Sequence, residues 1–294
     1  MSGEEVFRFE SAERELRFHP VDPTVATRSR LSPTQIEEFN RDGFLSPLPC
    51  LDQREAAELR SYMDDLIDEV VRADDRRNAY SINNYHRVCR PLHDLVLNPA
   101  VVDYATDILG SQAVCWSTHA FCKLPNDGME VPLHQDANYW PFTPTKSVTL
   151  WLAIDDVDDD NAAMHFVAGS HRRGPLPHEE LALDGSVVLN RRAEGHERYT
   201  DRFVNTLKAG EVSLHTDLLL HGSRANTSDR RRCGITLRFV AADVRVVDGA
   251  EAWTRAAVHI ADGDPSAFWP NTPAPTIDEP HRMARFVGGF DGNR

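Results

Sequence analysis

The sequence has no run approaching the roughly 18 consecutive apolar residues of a membrane helix, so no membrane partner is expected. Its opening stretch, MSGEEVFRFESAERELRF, lacks the apolar core that an export signal needs. Cysteine is scarce. Cys50, Cys89, Cys115, Cys122 and Cys233 are odd in number, scattered, and form no C-x-x-C pair. That argues against a disulfide frame or a zinc knuckle and predicts reduced thiols in the cytoplasm. Cys115 and Cys122 sit in an apolar strand-like run that suits buried packing. Positive charge is also short, with 32 Lys and Arg against 46 Asp and Glu, so the net charge is −14. Such a surface repels a phosphate backbone, and nucleic acid is not an expected partner. No internal repeat is present.

What the chain does have is 294 residues, 41% of them hydrophobic, enough for a substantial core. Residues 1–30 show no sustained periodicity and read as an extended arm. The remainder, 31–294, reads as one domain. A helix start follows the arm at LSPTQIEEF: Ser32 caps, Pro33 suits the first helical position, and Gln35 completes a capping box. Gly43 ends that helix before a short strand, FLSPL. A second helix is predicted from Gln53 to Ala73, with Leu59, Tyr62, Met63, Leu66 and Val70 on one face. LHDLVLNP and AVVDYATDILG predict two more, the latter stopped by Gly110.

Past Gly110 the pattern changes. AVCWSTHAFCKL, SVTLWLAIDDV, MHFVAGSH, GEVSLHTDLLLHG and CGITLRFVAADV read as strands separated by Gly, Pro, Asn and Asp clusters. Helices over 31–110 followed by strands over 111–248 predict an α+β chain with a β-sandwich or barrel core. Residues 249–294, rich in Pro, Asp and Ala, are expected to wrap the core with little regular structure. The acidic DDVDDDN, 155–161, reads as a solvated turn, with calcium binding a second possibility.

Within VPLHQDANYWPF, His134 and Asp136 lie two apart and project from one face of a strand, while Gln135 points the other way. Two such side chains are either a surface accident or part of a metal site. Downstream, His215 and His221 lie six apart in one strand-like run. His134, Asp136 and His221 make two imidazoles and one carboxylate, the facial set of a non-haem Fe(II) site, which leaves positions open for cosubstrate and O2. His215 then reads as structural or pocket-lining. Ser223 follows His221 by two residues, and Arg232 follows it by eleven. A guanidinium grips a carboxylate bidentately and a hydroxyl adds one more bond, as 2-oxoglutarate requires. Arg231 is the alternative in the run Arg230 to Arg232. Arg238 shares the strand parity of Arg232, and a buried arginine there needs a partner, either an anionic substrate or a structural acid.

The segments PLHQDANYWPF, VTLWLAIDDVDDDNAAMHFVAGSH and LLHGSRANTSDRRRCGITLRF resemble the phytanoyl-CoA dioxygenase family of Fe(II)/2-oxoglutarate oxygenases. LSPTQIEEFNRDGFL is similar to that family's usual opening. The resemblance runs from about residue 31 to 245. It implies a double-stranded β-helix (jelly-roll, cupin-like), with His134, Asp136 and His221 as iron ligands and Arg232 and Ser223 on the far carboxylate of 2-oxoglutarate. Lys123 stands where many relatives also carry lysine, which implies a role near the cosubstrate. Asn84 and His86 fall where the family often places a substrate-covering loop. Tyr139 and Trp140, just past the triad, either line the substrate mouth or pack in the core. Two departures are plain: Asn161-Ala162 replaces the family's usual Asn-Gly, and Ala168 opens AGSH where relatives read PGSH.

The resemblance implies Fe(II), 2-oxoglutarate and O2 as cofactor and cosubstrates. The expected reaction is hydroxylation of an unactivated C–H bond in a small polar metabolite or secondary-metabolism intermediate, giving succinate and CO2. Desaturation, cyclisation, epimerisation and halogenation are alternative outcomes, although halogenating relatives lack the carboxylate that Asp136 supplies. The rival classes are a cupin-type metalloprotein that does not use 2-oxoglutarate, and a silent binding protein.

Overall fold

Ser32 accepts from the Gln35 backbone N–H while the Gln35 side chain accepts from the Ser32 N–H, and this reciprocal box starts helix α1 (Pro33–Asp42). Asp52 and Glu55 repeat the device at the head of α2 (Gln53–Arg72). Between them runs strand β1 (Phe44–Pro49). Helices α3 (Arg90–Val96) and α4 (Pro99–Leu109) follow, each with proline in its first turn, where a missing N–H is harmless. The computed structural model describes residues 14–25, 28–73, 77–260, 268–276 and 278.

Strands then dominate: β2 (Val114–Lys123), β3 (Val131–His134), β4 (Phe142–Thr143), β5 (Ser147–Ala153) and β6 (His165–Phe166). Next come β7 (His178–Glu180), β8 (Arg191–Ala193), β9 (Phe203–Val204) and β10 (Glu211–Thr216). The last are β11 (His221–Ser223), β12 (Arg232–Val240), β13 (Arg245–Val246) and β14 (Val258–His259). Pairing among these strands is antiparallel, in a six-stranded sheet ordered β1-β10-β5-β12-β2-β14 and a four-stranded sheet ordered β3-β11-β6-β9. No helix among the described residues is long and apolar enough to cross a membrane.

Strand alternation divides the large sheet into two unlike faces. On β12, Cys233, Ile235, Leu237 and Phe239 join Leu150 and Leu152 of β5 and Leu214 of β10 in one core. The helices close that core with Ile36, Phe39, Met63, Leu66, Val70, Leu92 and Val101. Each such side chain, fully buried, contributes about 1.5–3 kcal/mol. The opposite face carries Trp151 and Ala153, which pack with Phe166 of the small sheet and Leu219 in a second cluster. That second face, which also carries Arg232 and Arg238 of β12, looks toward the small sheet.

Several expectations need correction. GEVSLHTDLLLHG is two strands, not one: a turn over 217–220 sends β10 and β11 into different sheets. The segment from Gly249, expected to be irregular, supplies β14 at the edge of the large sheet and inserts the fully buried Trp269 beside Val244. Residues 279–294 of that segment lie outside the described residues. The acidic turn is laced with ion pairs: Asp155 to Arg231 and Arg60, Asp156 to Lys208, Asp158 to Arg230, and Asp159 to Arg224.

Residues 1–13 of the arm are also outside the described residues; its later part is extended and pinned. The Asp107 carboxylate on α4 accepts the backbone N–H groups of Ser29, Arg30 and Leu31, each at 2.8 Å. Asp107→Ala strands three donors at once. An equilibrium denaturant titration is expected to show a loss of about 2–3 kcal/mol, and a loss under 0.5 kcal/mol would mean that water takes over these donors.

Candidate metal centre

His134 is the last residue of β3 and stands directly opposite His221, the first residue of β11. This pairing needs a glycine next door. A Cβ on Gly222 would lie 2.6 Å from the Val131 carbonyl, so only glycine lets β11 approach β3 so closely. The imidazole rings end 4.3 Å apart, centroid to centroid. Each Nδ1 faces a backbone carbonyl, Pro132 O at 2.8 Å and Leu219 O at 3.0 Å. An N–H donor must sit on Nδ1 in both rings, so each Nε2 keeps its lone pair for a ligand.

Asp136 does not continue the strand as expected; it opens a 3₁₀ turn, Asp136–Asn138. Its carboxylate still converges because Gln135 between them stays extended. Asp136 Oδ1 lies 3.5 Å from His134 Nε2. One ligand atom from each of His134, Asp136 and His221 falls within 4.8 Å of the others, the one such group among the described residues. Two neutral imidazoles locked in the ligating tautomer beside one carboxylate fit a divalent transition metal such as Fe(II). Burial alone would raise the Asp136 carboxyl, but the adjacent His134 and His215 rings, with His221 and the Arg238 guanidinium nearby, outweigh it. The carboxyl is held well below its ordinary range. Burial, above all, pushes His221 well below the usual imidazole value.

Two residues with no ligand role assigned from sequence complete the centre. Gln135 is fully buried and points away from the metal ligands. Its amide nitrogen donates to Gly174 O and Leu218 O, and its oxygen accepts from Leu176 N. It thus fastens the ligand-bearing turn to two neighbouring loops. His215 projects from β10, its Nε2 3.8 Å from Asp136 Oδ2 and its ring 4.6 Å from that of His221. Neither ring nitrogen of His215 has a hydrogen-bond partner, so this side chain borders the centre.

The arginine ambiguity resolves geometrically. Arg231 forms a bidentate pair with Asp155 at 2.8 and 2.9 Å, so it is a structural cation. Arg232 points to the opposite face, 1% exposed. Its guanidinium lies over the Trp151 ring at 5.3 Å and donates to Ala162 O at 3.0 Å, with no acid partner among the described residues. Gly234 clears the space that the Trp151 ring fills. Across the sheet, Lys123 is the register partner of Arg232 and is also fully buried. Its ammonium donates to Met129 O and to the carbonyl of Arg224, the residue after Ser223. Burial, and then the charge of Arg232, pull Lys123 down to about 6. The buried Ser223 hydroxyl has no partner. One enclosed guanidinium, a buried amine that an incoming carboxylate would protonate, and a free hydroxyl make a pocket short of an anion.

The turn before β6 shows what the Asn161-Ala162 departure does. Ala162 keeps the left-handed backbone, φ 68°, that glycine adopts without cost, and so holds its carbonyl on Arg232.

The remaining candidates divide. Tyr139 rests edge-on against His134 at 5.7 Å, and Trp140 packs on Trp116 at 5.0 Å. Asn84 caps the Thr118 N–H. His86 is corrected: it is fully buried with both nitrogens committed, to Thr118 Oγ1 at 2.9 Å and Ala256 O at 2.7 Å, which leaves no atom to offer a ligand.

A family model described as phytanoyl-CoA dioxygenase matches residues 39–234. The chain belongs to the phytanoyl-CoA dioxygenase family. Its curated relatives include the peroxisomal phytanoyl-CoA dioxygenase of Bos taurus, 28% identical over 156 residues, a match covering 51% of this chain and 46% of that protein. The probable phytanoyl-CoA dioxygenase of Caenorhabditis elegans is 25% identical over 243 residues, covering 74% and 77%. The chain thus spans less than half the length of the bovine relative. Among solved structures, the apo form of the non-heme monooxygenase ThoJ matches with a TM-score of 0.70 at 25% identity, over 85% of this chain and 92% of that one. The matched stretch 39–234 contains the three metal-ligating candidates together with Lys123, Ser223 and Arg232.

Two outcomes are expected here. Gln135→Ala leaves every metal ligand in place yet should weaken Fe(II) binding about tenfold in anaerobic calorimetry; unchanged affinity would show that the turn holds itself. Ala162→Gly should raise the unfolding free energy by about 1 kcal/mol, and a loss of stability would show that the Ala162 methyl packs usefully.

Proposed function

We propose that the protein is an Fe(II)- and 2-oxoglutarate-dependent dioxygenase on a double-stranded β-helix of the jelly-roll, cupin-like kind. It hydroxylates an unactivated C–H bond of a small polar metabolite and releases succinate and CO2. The observation that carries this reading is the buried pair Arg232 and Lys123, without an acid, joined through Arg224 to the strand that bears His221 and Ser223. An unneutralised cation in the interior costs several kcal/mol, so the pocket favours a bound carboxylate. A metalloprotein with no anionic cosubstrate has no use for it.

Iron bound by His134, Asp136 and His221, together with 2-oxoglutarate and O2, supplies the oxidising power that breaks the C–H bond. The chain does the rest. Arg232 and Lys123 hold the far carboxylate of the cosubstrate, and the Ser223 hydroxyl adds a hydrogen bond. The carbonyls of Pro132 and Leu219 fix the tautomers of the two histidines. Trp151, Phe166 and Leu219, all nearly inaccessible, keep water from the space between the sheets.

Anaerobic addition of Fe(II) and then 2-oxoglutarate should produce a weak visible charge-transfer band, and air should then yield succinate. Arg232→Gln should leave Fe(II) affinity unchanged but raise the 2-oxoglutarate Kd about a hundredfold, whereas Ser223→Ala should raise it only about fivefold. Iron binding with no band at any cosubstrate concentration would sink the assignment.

A further inference from the structure

Arg238 is a second guanidinium on the inner face of the large sheet, six residues along β12 from Arg232 and so roughly 20 Å away along the strand. Different residues enclose it. Its Cζ lies 5.5 Å from the Trp140 ring, 5.8 Å from Phe121 and 5.9 Å from Trp116. Among the described residues it makes no ion pair, and its Nε, shielded from solvent, has no hydrogen-bond partner. Two more buried groups nearby are equally unpartnered, Trp116 Nε1 and Thr149 Oγ1. Thr149 is the direct register neighbour of Arg238 on β5. The same row continues to His215 on β10, whose Nε2 lies 3.8 Å from Asp136. His215, Thr149 and Arg238 therefore sit side by side on three adjacent strands, so Arg238 is roughly 10 Å from the histidine that borders the metal centre.

Aromatic faces satisfy the plane of a guanidinium, at about 0.5–2 kcal/mol each. They do not accept from its Nε, and the indole N–H is likewise a donor only. The cluster has three donors, and the Thr149 hydroxyl is the one acceptor among these groups, so it is short of acceptors. The Arg238 side chain is also partly accessible, although it points away from the apolar core. We propose that Arg238, the Trp116 indole N–H and the Thr149 hydroxyl form an anion subsite that binds a carboxylate of the substrate and sets which end of the molecule faces the metal centre. Calling that anion the substrate rests on the proposed oxygenase function; the existence of the subsite does not. The substrate class is a small organic acid with an apolar portion to lie against Trp116 and Trp140. Its carboxylate is distinct from the one Arg232 holds.

The test uses tryptophan fluorescence, since Trp116 and Trp140 form the walls. The full chain, with saturating 2-oxoglutarate, is titrated with propionate and benzoate and in parallel with propionamide and benzamide. The acids are expected to quench saturably and the amides to bind at least tenfold more weakly. Arg238→Gln and Thr149→Val should each weaken acid binding, the former by tenfold or more, while Arg238→Lys retains part of it and Arg232→Gln leaves it unchanged. Thermal melts of the variants show whether they fold. The subsite is overturned if no acid quenches saturably, if acid and amide bind alike, or if folded Arg238→Gln binds the acids as the parent does. The charge-transfer band at Arg232 is read separately, so acid quenching without that band removes the oxygenase reading and keeps the subsite.

Discussion

The closeness of β11 to β3 is the constraint on which the centre depends. His221 faces His134 only because Gly222 lets one backbone lie against the other, with no room for a methyl group between them. A wider gap would separate the two ring nitrogens beyond what one metal ion spans. The local turns serve the same closeness. The Pro132 and Leu219 carbonyls each lie two residues before the histidine they orient, so the segment leading into each ring also sets its tautomer. Gln135 then ties the third ligand's turn to loops that would otherwise move independently of it.

The large sheet does two opposed jobs, and β12 shows how. Its odd-numbered residues from Cys233 to Phe239 are apolar and pack under the helices; its even-numbered ones include Arg232, Thr236 and Arg238. Polar and charged groups on the inner face leave several donors unsatisfied, each costing about 1–3 kcal/mol. The apolar face offsets this, because one contiguous core joins four helices to the sheet. The helical half thus stabilises a face that, without ligands, would be unfavourable to bury.

This division explains what was legible beforehand. Helix starts and stops depend on near neighbours, so Ser32, Gln35, Gly43 and Gly110 marked them correctly. The two histidines and Asp136 were visible as a pattern of residue types, although strand alternation was the wrong reason for Asp136, which belongs to a turn. Residue pattern alone did not separate Arg231 from Arg232, and only the family resemblance favoured Arg232, because which one faces inward depends on the register with β2, a pairing more than a hundred residues away. His86 misled for the same reason: the carbonyl that engages it, Ala256, lies 170 residues downstream. Ordinary hydrophobic pattern could not show that residues 258 and 259 extend the sheet, since two-residue strands carry no period.

The two inner-face arginines also say something about order along the pocket. Arg232 sits beside Lys123, whose amine is easily left neutral, so a ligand there meets one fixed charge and a second that its own carboxylate would restore. Arg238 stands alone among aromatic rings and calls for a single charge with apolar surface next to it. His215, which borders the metal centre, shares the row of Arg238 through Thr149. On the proposed assignments, the separation of charges along one strand is what would keep a diacid at Arg232 and a monoacid at Arg238 from exchanging places.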